Sequence, residues 1–95
     1  MLFAIIGTPR SNYTEEMERE ALKRFASWSP PAGLEMKALY FRADGRGFIG
    51  IYEAASAAAI YESLLPFSPF QDFELIPILD ASESVPLIRR ARGLD

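Results

Sequence analysis

Tyr40, Arg42 and Glu53 lie on two consecutive β-favouring runs, and pairing those runs as a hairpin brings all three to one face in an otherwise aliphatic field. A carboxylate in such a field is partly desolvated, so its pKa rises towards the range useful for proton transfer, while a guanidinium in contact opposes that shift. Glu53 and Tyr40 are therefore the candidate catalytic pair, either of which can move a proton, and Arg42 is a candidate ligand-binding cation. Lys37 falls opposite Tyr52 in the same pairing, with Gly50 making room beside them. These two side chains, with Trp28 on the preceding helix, are further candidates for lining a pocket that holds an anionic or phenolic ligand.

Each residue also has a plainer reading. Glu53, Glu74 and Asp80 suit exposed strand ends, Lys37 and Tyr52 suit a covered cross-strand pair, and Tyr13, Trp28, Tyr40, Tyr52 and Tyr61 suit core or rim aromatics. Arg89, Arg90 and Arg92 fall where cations favour a helix C-terminus. Arg46, Gly47 and Phe48 match the start of the third strand of an RNA-recognition motif, but Gly50 stands where a stacking aromatic is required and Ile49 where a small residue is expected. No glycine-rich phosphate loop follows a strand.

Composition removes whole classes of chemistry. With no cysteine and no histidine, the chain has no disulfide, no thiolate nucleophile, no Cys/His zinc site and no histidine-ligated haem, and neither a metal nor a cofactor is implied. Thirteen acidic against ten basic side chains give a net charge of -3 and no electropositive footprint for nucleic acid. No apolar stretch reaches the roughly 18 residues of a membrane span, and Met1 to Arg10 lack a basic stretch before their apolar run, so a cytoplasmic protein without a membrane partner is expected.

The elements that must position the candidates follow from periodicity. The chain has 95 residues, 49% of them hydrophobic and 13% aromatic, which fits one domain spanning residues 1–95. Leu2 to Gly7 is a short apolar strand. Asn12 and Glu15 have capping-box spacing, and the apolar recurrence from Met17 to Trp28 predicts a helix from about Tyr13 to Trp28, stopped by Pro30 and Pro31. Leu34 to Ala43 and Gly47 to Glu53 form a hairpin around Asp44 and Gly45, a preferred type I′ pair. Its expected register sets Phe41 opposite Phe48, Leu39 opposite Gly50 and Lys37 opposite Tyr52 on one face, with Tyr40 opposite Ile49, Ala38 opposite Ile51 and Met36 opposite Glu53 on the other. Ser56 caps a second helix that ends at Pro66, and Asp72 to Asp80 is an edge strand because Pro77 cannot donate to a neighbour. Ser84 to Arg92 reads as a terminal helix with Pro86 in its first turn.

This is an α+β chain of ferredoxin-like βαββαβ order with a short C-terminal helix. Its strands are apolar on both faces, whereas right-handed crossovers put both long helices on one face. A second copy covering the bare face, giving a homodimer through the sheet, is the expected remedy.

Trp28, the Pro30–Gly33 segment, the Gly47 Phe48 strand closing on Glu53 and the late run from Asp72 to Asp80 together resemble the bacterial domain of unknown function 3303 family over nearly the whole chain. The resemblance implies a dimeric α+β barrel, a superfamily that includes cofactor-independent monooxygenases, muconolactone isomerases and ligand-sensing domains. Phe41 stands where some relatives are expected to carry a histidine, so histidine-dependent chemistry is out of reach. Fold likeness does not transmit function. Three functions remain in competition. One is a binding or accessory protein holding a small, partly aromatic molecule between sheet and helices. Another is a cofactor-free oxygenase, isomerase or cyclase acting on an activated phenol or polyketide-like substrate. The last is a purely structural dimer or nucleic-acid module. The missing general base tilts the reading to binding, and the choice between enzyme and binder stays open.

Overall fold

The computed structural model describes residues 1–94; the last residue of the predicted domain, Asp95, lies outside them. Four strands, β1 (Leu2–Pro9), β2 (Leu34–Phe41), β3 (Phe48–Ala54) and β4 (Gln71–Ile78), form one antiparallel sheet in the order β2-β3-β1-β4. The helices are α1 (Glu15–Ser27), α2 (Ala57–Leu64) and α3 (Ala81–Ala91), with a single 3₁₀ turn at Leu65–Phe67. The fold is the expected ferredoxin-like α+β arrangement, and β4, with its Pro77, is an edge strand. Among the described residues no helix is long and apolar enough to cross a membrane.

Local chemistry explains the element ends, including two that differ from expectation. The α1 cap is Thr14 rather than Asn12: the Thr14 hydroxyl accepts the Met17 N–H at 3.1 Å, because its extended backbone carries the side chain back over the first turn. At α2 the Ser56 hydroxyl accepts from the Ala59 N–H, as expected. Helix α3 begins three residues early because Asp80 caps it, so Pro86 falls inside the helix, where it forgoes one backbone hydrogen bond. The Ser82 hydroxyl and amide hold the Asp80 carboxyl below the usual range, which assigns this carboxylate to capping.

The β2–β3 hairpin departs from expectation in its register. Phe41 faces Phe48, Leu39 faces Gly50 and Tyr40 faces Ile49 as anticipated, but a bulge between Met36 and Ala38 puts Met36 opposite Tyr52 and Glu35 opposite Glu53. Lys37 is the extra residue and does not pair with Tyr52, which corrects the predicted Lys37–Tyr52 contact. The loop also differs from a two-residue type I′ turn, since Asp44 has a negative φ. It is closed instead by the Gly45 N–H on the Arg42 carbonyl, while the Asp44 carboxylate accepts from the Arg46 N–H.

One face of the sheet meets the helices. Phe3 and Ile5 of β1, Leu34 of β2 and Tyr52 and Ala54 of β3 pack with Ile60 of α2 into the core, and Ile5 and Ile60 are wholly buried. The other face carries Leu2, Ala4, Ile6, Ala38, Tyr40, Ile49, Ile51, Ile76 and Ile78, and none of these side chains is buried. Helix α3 likewise has no buried residue and packs extensively on no other element. Its protrusion lengthens the chain to 55 Å and raises the radius of gyration to 16.2 Å; a compact domain of this size has about 12 Å.

Candidate functional site

The site is the space between α1 and the helix-facing side of the sheet. Helix α1 carries no buried residue, so it spans the sheet without filling the layer beneath it. A cavity of about 320 Å³ results. Its roof is Ala21, Leu22, Phe25 and Trp28; its floor is Leu39, Phe41, Phe48, Tyr52 and Phe73; Ser63, Leu64 and Phe67 close one side. Two aromatic groups define the walls. Phe25, Trp28 and Phe67 meet with ring centroids 6.0 to 6.3 Å apart, and Phe48 bridges Phe41 and Phe73 at 6.1 Å to each. Helix α1 is anchored at its C-terminal end by Arg24, which donates to the Pro66 carbonyl at 2.8 Å and lies 4.9 Å above the Phe70 ring.

The strand pattern sets this floor. Phe41, Phe48 and Phe73 sit at alternating positions facing the helices, and glycine opposite or beside an aromatic lets the ring lie down. A Cβ on Gly50 would collide with the Tyr52 ring and stand 3.2 Å from its hydroxyl, so Gly50 is what allows the phenol to lean along its own strand.

Polar groups are few and placed around the rim and ends: Tyr13 and Glu18 from the α1 side, Arg42 at the hairpin, Gln71 at the start of β4, and the Tyr52 hydroxyl on the floor. Arg42 is held by the Asp44 carboxylate, whose pKa the Arg42 hydrogen bond lowers. Burial, and then the negative charge of Glu18, push the Tyr13 phenol up. Burial alone pushes Tyr52 up, so this phenol stays protonated and able to donate well above neutral pH. Among the described residues no protein group hydrogen-bonds the Tyr52 hydroxyl, and the side-chain oxygen of Gln71 is buried without a partner. No cluster of three potential metal ligands exists among the described residues.

The raised Tyr52 pKa has a measurable consequence. A group whose folded-state pKa lies above its unfolded value near 10 contributes stability that is complete below that pH and is lost as pH climbs through the folded pKa. Melting temperature should therefore fall as pH rises past about 10, partly through Tyr52 ionisation, and Tyr52→Phe should fall less steeply over the same rise. Parallel melting curves for the two proteins would show that the phenol is not desolvated.

Of the six residues singled out by sequence, the structure brings Arg42, Tyr52 and Trp28 to the cavity. Tyr40 points from the opposite face of the sheet and is 67% exposed. Glu53 is on that face too, where its carboxylate accepts from the Met1 ammonium at 2.8 Å. Lys37, on the bulge, pairs with Glu35 at 3.4 Å in the open. The three-residue cluster of Tyr40, Arg42 and Glu53 is therefore split, because Arg42 lies beyond the last paired residue of β2 and is no longer bound by strand alternation. Sequence reasoning missed Glu18 and Gln71. Helical spacing of Glu18 with Ala21, Leu22 and Phe25 marks the first, whereas only three-dimensional burial reveals the second.

No curated protein matches the chain. The family described as Domain of unknown function (DUF3303) matches it over residues 1–92, nearly its full length, in agreement with the collinear markers from Trp28 to Asp80; the chain belongs to that family.

Proposed function

We propose that this chain is a binding protein for a small, largely aromatic molecule, held between α1 and the sheet, and that it works as a homodimer. The observation that carries the binding reading is the aromatic cavity of about 320 Å³ under a helix with no buried residue. Ligand pockets begin near this size, at roughly 300 Å³, and combine apolar walls with a few fixed polar groups. Filling the space gives α1 the packing that its own side chains do not supply. Dimerisation is supported by the bare apolar face of the sheet and by the exposed Val85, Leu87 and Ile88 of α3, two apolar surfaces that one chain leaves uncovered.

Titration with 2-naphthol, followed by calorimetry or by emission of Trp28, the single tryptophan, tests the binding reading. A ligand of this size should bind with a Kd on the order of 10⁻⁴ M. Ala21→Phe, which grows a ring from the roof into the cavity, should weaken binding at least tenfold while leaving the melting temperature unchanged or higher. Undiminished binding to Ala21→Phe would place the ligand elsewhere and sink the assignment of this cavity.

A further inference from the structure

We infer that α3 of each copy lies against the bare sheet face of a second copy of this chain, with its Arg92 paired to Glu74 on that face. The inference rests on the homodimer proposed above and specifies the contact that closes it. Helix α3 needs a surface to pack on. It has 11 residues with Pro86 among them, and a helix this short is marginal in water unless one of its faces is covered. None of its residues is buried, and it packs extensively on no element of its own chain. Ala81, Val85 and Ile88 recur at helical spacing as an apolar stripe, and Arg92 continues that stripe by one further turn.

The bare face supplies the matching charge. Glu74 pairs with Ile6 and shares its side of β4 with Ile76 and Ile78, so strand alternation sets it among aliphatic side chains. Three other carboxylates on that face already have a cation: Glu35 has Lys37, Glu53 has the Met1 ammonium and Asp72 has Arg10. Glu74 has none among the described residues, and a partner that covered it without bringing one would bury an unpaired charge. Few cations are left to bring. Arg10, Arg19, Arg24, Lys37 and Arg42 are in ion pairs, Arg46 adds to the positive field on Asp44, and the Arg89 guanidinium donates to the Leu94 carbonyl. Lys23 belongs to α1, across the sheet, and helical spacing puts Arg90 opposite the apolar stripe of α3. Arg92 is the cation that α3, lying stripe-down, carries to the sheet. A two-fold exchange of helices covers both apolar surfaces of each chain and pairs both carboxylates at once.

Reversing each charge separately and then together tests the exchange. In equilibrium sedimentation, Arg92→Glu and Glu74→Arg should each weaken self-association tenfold or more, since each homodimer replaces two attractive pairs by two like-charge contacts. An equimolar mixture of the two variants should associate about as tightly as the wild type, because every helix then meets a sheet of opposite charge. Both positions are exposed in the single chain, so neither substitution disturbs the fold of the monomer. Either variant dimerising as tightly as the wild type, or a mixture that recovers nothing, overturns the exchange and leaves a dimer of sheet faces standing. A wild type that stays monomeric overturns both.

Discussion

Replacing Ile51 by glutamate should yield a protein that sediments at the 10.6 kDa chain mass, whereas the wild type should sediment at about twice that value at micromolar concentration. Ile51 is central on the bare face: it pairs with Ala4 on one side and Ala38 on the other, and Ile76 follows beyond Ala4. In a dimer closed through this face, each copy of the variant buries a carboxylate among aliphatic side chains with no cation provided for it. Leaving a buried charge unpaired costs about 3–5 kcal/mol, which weakens association by a hundredfold or more. In a monomer the same position faces water, and glutamate there is nearly neutral. The two outcomes diverge sharply. A wild type that sediments as a monomer, or a variant that dimerises as tightly as its parent, would remove the sheet face as an interface.

Gly47→Ala should lower the melting temperature by more than about 10 °C. Gly47 precedes β3 with φ at +116°, a conformation that alanine adopts only under strain of about 1–3 kcal/mol. The larger obstacle is space. A Cβ at Gly47 would land on the carbonyl oxygen of Gly7 and 2.9 Å from its carbonyl carbon, and these are backbone atoms of the central strand β1. Moving them disturbs the pairing of Gly7 with both Phe48 and Phe73, which carries the aromatic floor of the cavity. Overpacking of this kind adds about 1–3 kcal/mol, against a total stability of roughly 5–15 kcal/mol for a domain. Gly7→Ala is a useful contrast, since the atoms nearest its Cβ would belong to the Phe48 side chain rather than to backbone. Equal melting temperatures for Gly47→Ala and the wild type would show that the approach of these two segments is looser than the structure has it.

Gly47 also illustrates how far the sequence could be read. Arg46, Gly47 and Phe48 resemble the opening of an RNA-binding strand, yet the glycine answers to the Gly7 carbonyl and the phenylalanine to its place between Phe41 and Phe73. The order of elements was legible because it is written in local terms: apolar strands, a helix stopped by Pro30 and Pro31, a cap at Ser56, and Pro77 confined to an edge. The unusual apolarity of both sheet faces was legible for the same reason. The candidate site was only partly so. Strand alternation correctly associated Tyr40 with Ile49, but the bulge at Lys37 shifted everything before it, and no composition rule announces a bulge with a lysine. The faces themselves are symmetric in sequence, so deciding that Tyr52 lies under the helices while Tyr40 does not required the crossovers to be seen. Gln71 was invisible because an unpaired amide is defined by what surrounds it.

The strand order has a consequence for how the chain assembles. The strand made first, β1 (Leu2–Pro9), is flanked in the finished sheet by β3, which begins only at Phe48, and β4, which begins only at Gln71. The β2–β3 hairpin can close locally in about 1–10 μs, but β1 gains its second neighbour only when β4 arrives. During synthesis at about 5–20 residues per second, Phe3 and Ile5 therefore wait several seconds with an open strand edge, next to a hairpin whose own apolar faces are bare. Mispairing of nascent chains through β1 is the hazard this topology carries. Gly7 and Pro9 near the end of the strand limit how far such an edge can extend, since proline offers no amide to a passing neighbour.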